Sequence, residues 1–134
     1  MKFIVLTGRV LFSLIFVMSG FSHFNQQIIQ YAGHHGIVIP GLLVPLSGII
    51  AIIGGLSILF GFKAKWGAWL IVLFLIPVTL SMHNFWSITD PEEHQMQMIM
   101  FMKNISMLGG TFIISYFGAG PISIDSRRND PAAK

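Results

Sequence analysis

The sequence contains no cysteine among its 134 residues. That excludes disulfides, dithiol redox chemistry, c-type haem attachment and thiolate-held clusters within the chain. Charge is scarce as well: 10% of residues are charged, where soluble domains carry about 25%. Acids are the scarcest. All five (Asp90, Glu92, Glu93, Asp125, Asp130) fall outside the long apolar stretches. There is no phosphate loop and no nucleophile–base–orienter set, and the glycine-rich text lies inside apolar runs. The net charge of +3 comes without a basic patch interleaved with aromatics, so nucleic acid is not an expected partner.

What is present is hydrophobic. Apolar residues make up 54% of the chain, and the mean hydropathy is +0.75. Four stretches approach the ~20 residues needed to cross ~30 Å of hydrocarbon as a helix. They run over about 3–22, 37–60, 66–86 and 96–117. Their short connections predict antiparallel neighbours. The expected fold is all-α, a four-helix transmembrane bundle over residues 1–120, followed by a loose polar tail over 121–134. The first stretch is read as a retained span, not a signal peptide. It is long, lacks an A-x-A site and contains Arg9.

Orientation follows from lysine and arginine. Lys2 precedes the first span, Lys63 and Lys65 separate the second and third, and Arg127, Arg128 and Lys134 follow the fourth. The other two loops have neither residue type. Both termini are therefore expected to be cytoplasmic (N-in/C-in), in a bacterial-type inner membrane. All five histidines then lie toward the outer side.

Small residues suggest close helix packing. Ser47, Ala51 and Gly55 repeat every four positions in the second span, and Ser106 and Gly110 do so in the fourth. The repeat leaves open whether such a contact is within one chain or between copies in a homo-oligomer. Pro77 is expected to kink the third span or free a carbonyl.

The polar residues fall on stripes. Arg9, Ser13, Phe16, Gly20 and His23 follow steps of 4, 3, 4 and 3, one helical face turned to the bundle interior. Arg9 lies about 9 Å into the span at 1.5 Å per residue, and is read mainly as an anchor snorkelling to inner headgroups. Thr79, His83 and Trp86 share a face of the third span, and Gln97 and Asn104 a face of the fourth. Lys103 lies beside Asn104. Intramembrane polar groups are by default candidates for function. His23, His83, Trp86, Gln97, Lys103 and Asn104 are thus the expected lining of an outward-facing polar pocket. Such a pocket suits a quinone head, a small anion or a lipid head. No histidine pair has the i, i+4 spacing that presets a metal site, and no metal is expected.

Several blocks resemble a known family. They are GRVLFSLIFVMSGFSHF, GIIAIIGGLSILFGFKAKWGAWLI, SMHNFW, MFMKNISMLGG and the closing FGAGPISID. In order and spacing, from Gly8 to Asp125, they resemble the DoxX family of small four-span membrane proteins. Gly8-Arg9, the segment Ser19 to His23, and Lys103-Asn104 are the most diagnostic parts. The resemblance implies an inner-membrane protein tied to quinone-linked sulfur oxidation, where a DoxX-type subunit belongs to a thiosulfate:quinone oxidoreductase. It implies quinone as the ligand and redox or sulfur-metabolism proteins as partners. The chain has no appended soluble domain for thiosulfate chemistry, so the expectation is a redox-associated subunit. A non-enzymatic scaffold and a small-anion carrier using Arg9 and Lys103 are the alternatives.

Overall fold

A computed structural model describes residues 1–128. Among these the chain is helical, without strands: α1 Lys2–Ser22, α2 Gln26–His34, α3 Pro40–Phe60, α4 Ala64–Met82, a 3-10 turn Phe85–Ser87, α5 Pro91–Phe117 and α6 Ile124–Arg128. Four are long and apolar enough to cross a membrane: α1, α3, α4 with its following turn, and α5. α1 packs on α3, α3 on α4 and α4 on α5.

Local signals explain the boundaries. Pro40 and Pro91 occupy the first turns of α3 and α5, where a missing N–H costs nothing. Asp90 caps α5 by accepting from Glu93 N at 2.9 Å, so α5 starts five residues before the apolar run. α3 ends at Gly61, left-handed at φ 64°, the conformation glycine adopts most cheaply. α2 is a helix that hydrophobicity alone does not announce. Asn25 caps it through Gln27 N at 2.8 Å, and Ala32 is its buried contact.

The small-residue repeat is an internal seam. A Cβ on Gly20 would lie 2.7 Å from the Gly48 carbonyl, and one on Gly48 would lie 2.6 Å from the Gly20 carbonyl. Gly55 meets Val17 in the same way, at 2.9 Å. On the opposite side of α3, a Cβ on Gly54 would come within 2.9 Å of the Gly67 carbonyl. α3 is therefore the central helix, close to α1 on one side and α4 on the other. Phe16, Ile58, Ile71 and Leu75 fill the core, with Phe74 edge-on to Phe16 at 6.4 Å.

The segment after Gly120 is not loose up to Arg128. Asp125 accepts from Lys63 N at 2.8 Å and Ala64 N at 3.0 Å, supplying the acceptor that the start of α4 lacks. Its own N–H donates to the Gly61 carbonyl at 2.8 Å. Ser123 and Ser126 cap each other's backbone. Lys134 and the end of the expected tail lie outside the described residues.

Candidate functional site

The stripe on α1 is buried: Arg9, Ser13, Phe16 and Gly20 are the helix's buried residues. Arg9 does not snorkel. It is 6% exposed and donates through Nη1 to the Ala119 carbonyl at 2.8 Å and through Nη2 to the Ile122 carbonyl at 2.9 Å. The turn after α5 makes this arrangement, with Gly118 and Gly120 at φ 81° and 71° and Ile122 at φ 57°. These left-handed positions point carbonyls back at α1. A non-glycine residue such as Ile122 holds that conformation only under constraint, and the buried guanidinium is one such constraint. Ser13 Oγ donates to the Arg9 carbonyl at 2.7 Å.

The residues expected to line one outer pocket fall into separate groups. Asn104 Nδ2 donates to Thr79 Oγ1 at 3.1 Å in a buried bond. His83 Nδ1 pairs with Gln97 Oε1 at 2.7 Å. An amide oxygen only accepts, so this nitrogen carries the proton. Both pairs tie α4 to α5. Trp86 is 59% exposed and stands edge-on to Phe85 and Phe101 at 5.4 and 5.9 Å. Lys103 lies on the exposed side of α5, with Met100 Sδ at 3.3 Å as its contact. Adjacent helical residues point about 100° apart, so α5 cannot turn both Lys103 and Asn104 inward. Among the described residues, no three of His, Asp and Glu gather where they could hold a metal ion.

His23 stands elsewhere, on a cavity of about 330 Å³ between the end of α1, α2, α3 and α4. This size is at the lower end of small-molecule sites. The walls are apolar, including Val44, Ile50, Phe74 and Val78. Leu43, Leu46 and Leu73 of its lining are exposed apolar side chains on spanning helices. Phe74 lies against the imidazole, ring centres 5.5 Å apart.

The polarity of this cavity is fixed by its hydrogen bonds. Ser47 Oγ donates its one proton to the Val44 carbonyl at 2.7 Å, and His23 Nδ1 lies 2.9 Å from the same oxygen. With the Ser47 proton on Val44, Nδ1 is the donor to Ser47 Oγ. In the neutral ring, Nε2 is then left as an acceptor. Burial pushes the imidazole below its ordinary pKa, with the Val44 carbonyl partly opposing. Pro77 and Leu73 border the same cavity. Proline has no N–H to give the carbonyl four residues back, so the Leu73 carbonyl lacks its helical donor. Ser47, Leu73 and Pro77 were absent from the expected pocket. The proline was a usable signal, since it exposes a carbonyl at a known position.

Two relatives match over most of the chain. Inner membrane protein YqjF of Escherichia coli is 30% identical over 129 residues, spanning 93% of this chain and 92% of that protein. Inner membrane protein YphA of the same organism is 26% identical over 126 residues, spanning 92% and 89%. The ER-derived vesicles protein ERV29 of Saccharomyces cerevisiae is 25% identical over 80 residues, 60% of this chain and 26% of that protein. No solved structure matches. The DoxX family profile matches residues 4–84; with four helices able to span a membrane, the chain is an integral membrane protein that belongs to the DoxX family.

Proposed function

We propose that this protein is a redox-associated membrane subunit that holds a lipophilic, hydroxyl-bearing molecule of the quinol class in the cavity at His23. The observation that carries the reading is the pairing of His23 Nε2, set as an acceptor by Ser47, with apolar walls. A quinol hydroxyl donates to such a nitrogen, whereas a quinone carbonyl cannot. The isoprenoid tail of a quinol leaves past the exposed Leu43, Leu46 and Leu73. The ligand sits in the apolar cavity at His23 and Ser47, away from the exposed Lys103. The chain holds the ligand for a partner protein that exchanges electrons with it. A short-tailed quinol titrated into purified protein in nanodiscs tests this. Saturable binding that Leu46→Trp abolishes is expected. Undiminished binding in that variant would place the ligand elsewhere.

We propose both termini on the cytoplasmic side. Lys63 and Arg128 approach the same Phe62 ring, at 5.9 and 5.7 Å, and Lys65 packs on Gly118. The loop cations therefore share one end of the bundle, as the positive-inside rule requires of a cytoplasmic face.

A further inference from the structure

A second cleft, at the other end of the bundle, carries a different ligand chemistry. α1 packs more closely on α3 than on α5, which it reaches through Phe12 at Gly110. Between α1 and α5 the structure leaves a cleft of about 580 Å³. Its walls are apolar, with Val5, Gly8 and Phe12 on one side and Ile113 and Phe117 on the other. Arg9 lines it too.

The electrostatics of Arg9 are incomplete. A guanidinium has five N–H donors, and this one uses Nη1 and Nη2 on the carbonyls of Ala119 and Ile122. Its Nε is buried without a hydrogen-bond partner among the described residues. Neutral carbonyls satisfy donors but do not cancel a charge. Asp125 is near enough to act on Arg9 electrostatically, while its carboxylate oxygens accept from the N–H groups that begin α4. Burial outweighs the attraction of Asp125, and with Nε unpartnered the buried cation has room for a second anion.

We infer that the α1–α5 cleft is a binding site for the negatively charged head of a membrane lipid, its phosphate oxygens facing Arg9 and its acyl chain lying on Val5, Phe12, Ile113 and Phe117. Charge complementarity selects the head, and the apolar walls of the same cleft select a lipid over a free anion. Basic pockets between spanning helices hold anionic headgroups in the same way. The site is separate from the His23 cavity and does not depend on its ligand.

The test uses the full chain in nanodiscs of equal phosphatidylglycerol and phosphatidylcholine, with retained lipid counted by native mass spectrometry. Wild type should retain the anionic lipid at least about fivefold over the zwitterionic one, a tenfold preference being about 1.4 kcal/mol. Arg9→Gln removes the charge but also loosens the turn it holds. Gly8→Phe therefore carries the specific prediction. A Cβ at Gly8 meets nothing within 4 Å, so the ring enters the cleft and leaves Arg9 in place. Ile113→Trp blocks it from the exposed opposite wall. Either variant should bring the preference to about one at unchanged thermal stability. Equal retention of the two lipids by wild type would overturn the inference. So would a preference that survives both substitutions, or displacement of the lipid by millimolar inorganic phosphate, which would make this a site for free anions.

Discussion

The imidazole of His23 donates through Nδ1 to Ser47 Oγ at 2.9 Å, and Ser47 sets the direction of that bond by donating onward to Val44. With its proton on Val44, this hydroxyl favours the tautomer of His23, at the end of α1, that carries its proton on Nδ1. Ser47→Ala should release the ring to either tautomer. The selectivity of the cavity for hydroxyl over carbonyl heads should then fall several-fold, while stability drops by about 1 kcal/mol for one lost hydrogen bond. Parallel titrations of the variant with quinol and quinone, and its melting curve, measure the two effects.

The acid side of neutrality should weaken this region. Burial holds the folded-state pKa of His23 below its ordinary value, near 6.5 in the unfolded chain. Above that pH both states are neutral and His23 adds no pH dependence. As pH falls from there toward the lower folded value, the unfolded state binds the extra proton and stability is lost. His23→Phe should remove that part of the acid loss. Thermal melts of both proteins between pH 7.5 and 5 compare the slopes.

Crowding at the α1–α3 seam gives a sharper expectation. Gly48→Leu places a side chain where even a Cβ would meet the Gly20 carbonyl at 2.6 Å. Overpacking of this kind costs about 1–3 kcal/mol or more. Gly109→Leu on α5 is the control, since a Cβ there meets nothing within 4 Å. Detergent melting curves should separate the two by many degrees. Equal stability would mean the helices do not approach as closely as described.

The clasp at the other end predicts a local effect. Asp125→Asn removes the carboxylate that serves the first N–H groups of α4, a cap worth about 1 kcal/mol. Hydrogen exchange should rise at Lys63, Ala64 and α6 while the core of α4 around Ile71 stays protected. Uniform exchange across the protein would show that the segment does not act as a local clasp.

The absence of cysteine makes topology directly measurable. Arg127→Cys and Glu92→Cys introduce single thiols at exposed positions on opposite ends of the bundle. In intact cells an impermeant maleimide should label position 92 and spare 127 until the membrane is opened. The reverse pattern would invert the proposed orientation.

The spans were legible because hydrocarbon thickness and the 3.6-residue period act on local text. The α1 stripe is one example, and its residues Arg9, Ser13, Phe16 and Gly20 are buried. The partners of Arg9 were not legible, because they lie 110 and 113 positions away and are backbone carbonyls, which carry no side-chain signature. The same limit affected the outer residues. The α1 stripe is a buried helix face, whereas the expected face Thr79, His83 and Trp86 is broken because α4 ends at Met82, leaving His83 as its cap and Trp86 exposed in the following turn. Thr79, His83, Gln97 and Asn104 turned out to serve one another, while His23 found Ser47. α2 was hidden for another reason. It has a cap at Asn25 but too few apolar residues to stand out beside spans of 21.

The most direct test of the central claim is the ratio of quinol to quinone affinity, measured on wild type and His23→Phe in the same nanodiscs at pH 7.5. Wild type should favour the quinol by about tenfold, the usual weight of a 1.4 kcal/mol difference, and the variant should show a ratio near one. Equal affinities in wild type, or a preference that survives loss of the imidazole, would contradict it.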